Sequence, residues 1–175
     1  MVFRRHAAML ERVLVRLVGP GADAEDLLQE TFAEAIAGFT RFRGDAAVGT
    51  WLYRIAVNVA HKELRRPHRQ RTVSLEVVPN ATTGAAIAPG PDELAQQRQA
   101  IERLYAHLDA LGPKKRIAFL LHVVDDRPLA EVAALMSATR AATKSRVFLA
   151  RRQLLSRVRK DPGLRVLIAH GEDEG

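Results

Sequence analysis

Seven basic side chains and no acid occupy residues 141–160, and this one-signed run is the strongest chemical signal in the chain. Its inward-facing residues recur with the 3.6-residue period of a helix, at Thr143, Val147, Ala150, Leu154 and Val158. Like charges repel at i,i+4 spacing, so a solvated surface helix normally mixes signs. The run therefore predicts a helix that binds an anionic partner, with an ordinary solvated helix as the alternative.

A short apolar helix is predicted immediately before the basic one, over residues 128–136, with Pro128 in its first turn. A tight turn between two such helices indicates a helix-turn-helix, in which the first helix supports the second in the major groove of DNA. We expect Val132 and Leu135 to pack inward and the small Ala133 and Ala134 to allow close crossing. Three basic residues near the start of the second helix should reach base edges, namely Arg140, Lys144 and Arg146. Arg151 and Arg152 should contact phosphates.

An acidic helix is predicted in the N-terminal half, over "DAEDLLQETFAEAIAGF", where Asp23 is the expected N-cap and Asp26 lies three residues on. Its apolar residues, Leu28, Phe32, Ile36 and Phe39, are expected to share one face. Helix-dipole compensation explains acids in the first turn but not Glu30 and Glu34 further along. DNA would repel such a helix, so we expect it to bind a basic surface of a protein.

A third helix, "TWLYRIAVNVAHKELRR", is predicted to end before Pro67. Its core face comprises Leu52, Ile55, Ala56 and Val59. A second face interleaves an aromatic with basic and polar groups, at Trp51, Arg54, Asn58, Lys62 and Arg65, and the preceding loop adds Phe39, Phe42 and Arg43. This combination suits a nucleic-acid strand whose bases stack on aromatic rings. The alternative is that Trp51 is a core residue and the arginines are solvated.

The composition favours an all-α fold. Of 175 residues, 47% are hydrophobic and only 5% aromatic, and alanine is abundant. Residues 67–92 contain four of the eight prolines, which predicts a linker, and "RTVSLEVV" within them is the only strand-like run. We expect two small helical domains, 1–67 and 93–160, joined by a flexible linker, 68–92, and followed by a tail, 161–175.

Several classes of function are disfavoured by what the chain lacks. It has no cysteine, and its six histidines are scattered without HExxH spacing. Neither a P-loop nor a Gly-x-Ser-x-Gly motif occurs. The first residues lack the apolar core of a signal peptide, and no apolar run is long enough to span a membrane. We therefore expect a cytoplasmic protein without catalytic residues, metal, cofactor or small-molecule substrate.

The order of these parts resembles the extracytoplasmic-function (ECF) group of sigma-70-type RNA polymerase sigma factors. "DAEDLLQETFAEAI" is similar to the polymerase-binding helix of sigma region 2, and "FRGDAAVGTWLYRIAVNVAHKELRR" to its promoter-melting segment. "LDALGPKKRIAFLLHVVDDRPLAEVAALM" together with "ATKSRVFLARRQL" resembles region 4. Domain 1–67 would then be region 2 and domain 93–160 region 4.

The resemblance implies partners and site residues. The acidic helix would bind the β′ clamp helices of core polymerase, through Asp23, Glu25, Asp26, Gln29 and Glu30, and the β flap would be a further contact. The −10 promoter element would be bound and melted by Phe42, Arg43, Trp51, Arg54, Asn58, Lys62 and Arg65. The −35 element would be bound by Arg140, Lys144, Ser145, Arg146, Arg151 and Arg152. An anti-sigma factor, in many members membrane-bound, would hold the protein inactive.

Three features depart from the family pattern. The family usually has glycine near Ser137 in the turn, and Gly-Thr-Val where this chain has Ala141, Ala142 and Thr143. The missing turn glycine can be tolerated if the backbone at the turn keeps a negative φ. Lys62 stands where aspartate is common, which adds charge to the expected DNA face. A stand-alone helix-turn-helix regulator is the alternative function, and it would have no use for the acidic helix or the Trp51 face.

Overall fold

A computed structural model describes residues 2–20, 22–66 and 90–164, and every regular element in these ranges is helical. The α-helices are α1 Val2–Val18, α2 Ala24–Gly38, α3 Val48–Leu64, α4 Pro91–Asp109, α5 Pro113–Phe119, α6 Leu129–Leu135 and α7 Arg140–Val158. A short 3₁₀ helix follows α2 at Phe39–Arg41, and a π-helical segment, Leu120–Val124, extends α5. The all-α prediction is confirmed. The strand-like run and most of the predicted linker lie outside the described residues.

Helices α1 to α3 form the N-terminal unit, whose core includes Leu14, Leu17, Leu52 and Val57. Asp23 caps α2 as predicted, because its Oδ1 accepts a hydrogen bond from the Asp26 backbone N–H at 3.0 Å. On α3 the predicted core face is correct: Leu52, Ala56 and Val59 are buried, and Ile55 packs against them.

The apolar face of α2 is covered by the core only in its first half, because Leu28 and Phe32 pack against the core whereas Ile36 is 63% exposed and Phe39 is 59% exposed. The buried residues of this helix are Leu27, Thr31 and Ala35. Small side chains at 31 and 35 let α2 approach its neighbours closely, and the Thr31 hydroxyl is satisfied by donating to the Leu27 carbonyl at 2.8 Å. The buried residues of α2 therefore keep the helical spacing, but each lies one position before an apolar residue of the predicted face.

Helices α4 to α7 form the C-terminal unit. The stripe predicted on the basic helix is confirmed, because Thr143, Ala150 and Leu154 are buried while Val147 and Val158 pack against the core. Val132 and Leu135 of α6 are buried as predicted. Ala133 is also buried, whereas Ala134 is exposed and takes no part in the crossing.

The turn between α6 and α7 ends the first helix with a Schellman motif. The Ala138 N–H donates to the Ala133 carbonyl at 2.9 Å, and the Ser137 N–H donates to the Ala134 carbonyl at 3.2 Å. Ser137 has φ 49°, so the condition of a negative φ at this turn is not met. Thr139 then caps α7, with its hydroxyl accepting from the Ala142 N–H.

Replacing Ser137 with glycine is expected to stabilise the protein by about 1 kcal/mol, because only glycine adopts a left-handed conformation without a Cβ penalty. Ser137→Ala is the matched control, since it removes the same hydroxyl but keeps the Cβ. In thermal unfolding, the glycine variant should melt about 2–4 °C above the alanine variant. Equal melting temperatures would show that the positive φ costs nothing here.

The first residues of the predicted tail lie against α4. Asp161 accepts hydrogen bonds from Arg103 at 3.1 Å and from the Gly163 N–H at 2.9 Å, and it pairs with His107 at 2.9 Å. These contacts, the His107 hydrogen bond foremost, hold the pKa of the Asp161 carboxyl below its usual value. Leu164 is buried. Residues 165–175 of the tail lie outside the described ranges.

Candidate functional site

The predicted polymerase-facing acids lie along one exposed surface of α2. Asp23, Glu25, Asp26 and Gln29 are exposed, and together we call them the acidic surface. Glu30 differs, because it is only partly exposed and its Oε1 accepts a hydrogen bond from Lys62 Nζ at 2.6 Å. The acidic surface can therefore bind a basic protein directly, whereas Glu30 must first break its hydrogen bond to Lys62.

An aromatic cluster connects the end of α2 with the start of α3. The Phe42 and Trp51 ring centroids are 4.7 Å apart, and Phe39 lies 6.4 Å from each of them. Trp51 is partly buried in this cluster. It is therefore neither a pure core residue nor a fully exposed stacking residue, because it packs against its neighbours and still presents part of its ring to solvent. Exposed Phe39 extends the cluster to solvent. An unpaired base could stack on such a surface.

The predicted DNA face of α3 is largely accessible, since Arg54, Asn58, Lys62 and Arg65 are exposed, as is Arg43 in the preceding loop. Lys62, however, already forms contacts within the chain. It donates a hydrogen bond to Glu30, and its Nζ lies 3.9 Å from Glu34. The hydrogen bond to Glu30 raises the pKa of Lys62 above its usual value. Lys62 therefore links α3 to α2 and is a weaker candidate for a phosphate contact than its neighbours on α3.

Helix α7 presents most of its predicted DNA residues to solvent: Arg140, Lys144, Ser145, Arg151 and Arg152 are exposed. Arg146 is only partly exposed. The sequence interpretation missed Phe148, which is 63% exposed and lies on this outer face, with the Arg152 guanidinium 6.0 Å from its ring centroid. Its spacing of four residues from Lys144 is the signal that would have placed it there.

A residue of the predicted −10 surface contacts the helix-turn-helix in the structure. Arg54 Nη2 of α3 donates to the Ser137 hydroxyl of the helix-turn-helix at 2.9 Å. Nearby, partial burial and the charges of Lys114, Arg65 and Arg146 lower the pKa of His61 below its ordinary value of 6.5. Arg146 thus lies close enough to α3 to affect a group there. The sequence interpretation, which treated the domains as separate, did not predict this.

Within the described ranges, no group of three or more histidine, aspartate or glutamate side chains is placed to hold a metal ion. None of the helices described in the structure is long and apolar enough to cross a lipid bilayer.

Comparison with family models places both units in one kind of protein. Residues 2–71 match the model for sigma-70 region 2, and residues 96–154 match the model for sigma-70 region 4. The first match contains the acidic surface and the α3 face, and the second contains the helix-turn-helix.

Curated relatives agree with the family models. The chain is 32% identical over 151 residues to the ECF RNA polymerase sigma-E factor of Escherichia coli K12, covering 83% of this chain and 78% of the relative. It is 33% identical over 153 residues to the ECF sigma factor SigM of Mycobacterium tuberculosis, covering 87% and 73%.

Solved structures share the fold at lower identity. CnrH in complex with the cytosolic domain of CnrY matches with a TM-score of 0.63 at 22% identity, over 91% of this chain and 86% of the other. The sigma factor RpoE of Bartonella quintana, solved with the anti-sigma factor NepR, matches with a TM-score of 0.60 at 22% identity, over 91% and 96%. With both sigma regions in order and relatives matched over most of their length, the chain belongs to the ECF group of sigma-70-type RNA polymerase sigma factors.

Proposed function

We propose that the acidic surface on α2 is the contact that joins this sigma factor to the β′ clamp helices of core RNA polymerase. The observation that carries this assignment is the exposure of Asp23, Glu25, Asp26 and Gln29 on one side of a helix whose other side is buried. Glu30 contributes after exchanging its bond to Lys62 for one to the partner. Exposed complementary charges of this kind raise the association rate and fix orientation.

The −10 promoter element is assigned to the aromatic cluster and the exposed residues of α3. Trp51 and Phe42 supply the ring surface, while Arg43 in the preceding loop and Arg54, Asn58 and Arg65 along α3 supply exposed groups that can bind phosphates and base edges. Unstacking a base costs a few kcal/mol, and stacking on an aromatic side chain offsets much of that cost. This arrangement suits a melted, single-stranded segment better than an intact duplex.

The −35 element is assigned to the outer face of α7. Arg140, Lys144 and Ser145 lie in the first two turns, where a recognition helix contacts base edges, and Arg151 and Arg152 lie further along beside the phosphates. Arg146 lies in the same two turns and is partly exposed, so it joins the first group.

Two single substitutions test whether the start of α7 contacts base edges and its later turns contact phosphates. Arg140→Ala should relax base preference at one position of the −35 element by about 1–3 kcal/mol, because a lost base-edge contact removes discrimination. Arg151→Ala should weaken binding to all sequences alike and reduce the slope of log affinity against log salt by about 1. Competition binding with single-base promoter variants at two salt concentrations measures both quantities. Identical profiles for the two variants would contradict the division.

Regulation and cellular context follow from the same assignment. An anti-sigma factor is proposed as the inhibitory partner, and a structure with the same fold contains one. The protein would act in the cytoplasm, where the polymerase is, and would contribute binding and melting but no chemistry of its own.

We place the polymerase-binding and −10 functions in residues 1–67 and the −35 function, with the β flap contact, in residues 93–160. Residues 68–92 connect them, and 161–175 form the tail.

A further inference from the structure

Helices α2 and α3 are joined at the protein surface by a set of ion pairs that contains three acids and two bases. Lys62 Nζ donates to Glu30 Oε1 at 2.6 Å and lies 3.9 Å from Glu34 Oε1. Arg66, just beyond the end of α3, donates from Nη1 to Glu63 Oε2 at 2.6 Å, and its Nη2 lies 3.9 Å from Glu30 Oε2. We call these five residues the α2–α3 ion-pair network.

Glu30 is the centre of this network, because a different cation lies near each of its two carboxylate oxygens. The Glu30 side chain is 26% exposed, whereas those of Lys62 and Arg66 are 58% and 56% exposed. The negative charge of Glu30 is therefore balanced within the chain, by bases that are more accessible to solvent than the acid itself.

The acids in the first turn of α2 differ in this respect. Glu25 and Asp26 are exposed, and neither forms an ion pair with another residue of the described ranges. Asp26, Glu30 and Glu34 recur at intervals of four residues, so they lie along one side of α2. A basic protein surface laid along this side would meet an unbalanced acid first, and then two acids that Lys62 already contacts.

The network must change when such a surface binds. A cation of the partner can pair with Glu30 only by taking the position that Lys62 holds, and the displaced Lys62 then lies close to other positive charges. Exposed ion pairs are weak, so the exchange is feasible. It nevertheless reduces the gain in free energy on binding, because an existing ion pair is lost and like charges approach one another.

We propose that Lys62, supported by Arg66, is an affinity-determining residue that competes with core RNA polymerase for Glu30 and Glu34. The proposal rests on the proposed function, in which α2 binds the β′ clamp helices. Lys62 occupies the place beside Glu30 that a basic group of the polymerase would take. The network therefore makes binding to core polymerase weaker than the acids of α2 would give without it.

A purely structural role for Lys62 predicts a different result. The buried residues Leu27, Thr31 and Ala35 already pack α2 into the N-terminal unit, and an exposed ion pair adds little to stability. Lys62→Gln should therefore unfold at nearly the same temperature as the wild type. Its affinity for core polymerase should nevertheless increase, whereas a loss of stabilising contacts alone would lower it or leave it unchanged.

The experiment measures the dissociation constant for purified bacterial core polymerase in the absence of DNA, by competition of the unlabelled full chain against labelled wild type. We expect Lys62→Gln to bind about two- to fivefold more tightly, the range set by one exposed ion pair. Lys62→Arg keeps the charge and should bind as the wild type does. Arg12→Gln is the matched control, because it removes one cation from an exposed position on α1.

A double-mutant cycle shows whether Lys62 acts through Glu30. In a Glu30→Gln background, the gain from Lys62→Gln should largely disappear, because the acid for which the lysine competes is absent. The same background tests the pair without polymerase. The hydrogen bond to Glu30 raises the pKa of Lys62 in the wild type, so this pKa, followed by NMR, should fall towards its ordinary value in Glu30→Gln.

Asp26→Lys in the same assay separates failure of this inference from failure of the proposed function. If Asp26→Lys loses binding while Lys62→Gln binds as the wild type does, the inference alone is overturned. If neither variant changes binding, α2 is not the polymerase contact, and the proposed function fails together with the inference. An equal gain in Arg12→Gln, a gain that persists undiminished in Glu30→Gln, or a Lys62 pKa that is the same with and without Glu30 would each also overturn the inference.

Discussion

Asp26→Lys is expected to lower the affinity of the chain for core RNA polymerase by about 30-fold or more. The substitution removes one exposed acid and places a cation against a basic partner, and such charge changes at interfaces cost 2–5 kcal/mol. Asp26 is preferable to Glu30 for this test, because Glu30 already binds Lys62 and its reversal would break a contact within the protein. The measurement is retention of labelled protein by purified bacterial core polymerase.

Glu11→Lys is the matched control, since Glu11 is an exposed acid on α1 and its replacement makes the same change in net charge. Asp26→Lys should remain folded, because a cation in the first turn of a helix costs only about 0.3–1 kcal/mol. Its affinity for duplex DNA should be unchanged. Equal loss of polymerase binding in both variants would mean that net charge, and not the acidic surface, controls the interaction.

The sequence predicted the elements of the site well, because each depends on local periodicity. The buried stripe of α7, the inward face of α3 and the Asp23 cap each involve residues within a few turns of one another, and the structure confirms all three. The family resemblance, which required only the order of three motifs, was confirmed by the comparisons. Residue roles at the polymerase and promoter surfaces remain predictions, since they depend on partners.

What the sequence did not reveal depends on residues far apart in the chain. Arg116 belongs to the run "KKR", which has the composition of a solvated surface, yet it is buried against a carbonyl 99 positions away. Its partner is a backbone oxygen, and backbone atoms carry no sequence signal. Ser137 is a second case, because its positive φ arises from the Schellman bonds around it, which the side chain does not disclose.

The shifted face of α2 has a related cause. Ile36 and Phe39 share the apolar period of Leu28 and Phe32, but a helix that packs closely on two neighbours buries its small residues and leaves larger ones at the edge. Phe39 then joins the aromatic cluster with Trp51 instead of the core. Phe39 is thus an apolar residue that stays exposed, and it lies on the surface assigned to promoter melting. Exposed apolar residues are expected at functional sites, where binding a partner competes with burial in the core.

Trp51→Ala is the second substitution with a large expected effect, and it acts on melting in particular. Base–aromatic stacking contributes about 1–3 kcal/mol per base, so open-complex formation should decline about 5- to 150-fold. Retention by core polymerase should be little changed, because the acidic surface lies on α2. Permanganate reactivity of thymines around the −10 element, measured on a promoter bound by the reconstituted holoenzyme, gives the extent of melting.

A template with a permanently unpaired −10 segment separates a melting defect from simple damage to the N-terminal unit. Trp51 packs against Phe42 at 4.7 Å, so its removal also loosens the aromatic cluster, and a misfolded variant would fail on every template. If the role is melting, the unpaired template should restore most transcription to Trp51→Ala, because the cost of unstacking is already met. Trp51→Phe keeps a stacking ring and should lie between the wild type and alanine on duplex promoters. An alanine variant equally defective on both templates would place the tryptophan in the core alone and remove it from the promoter surface.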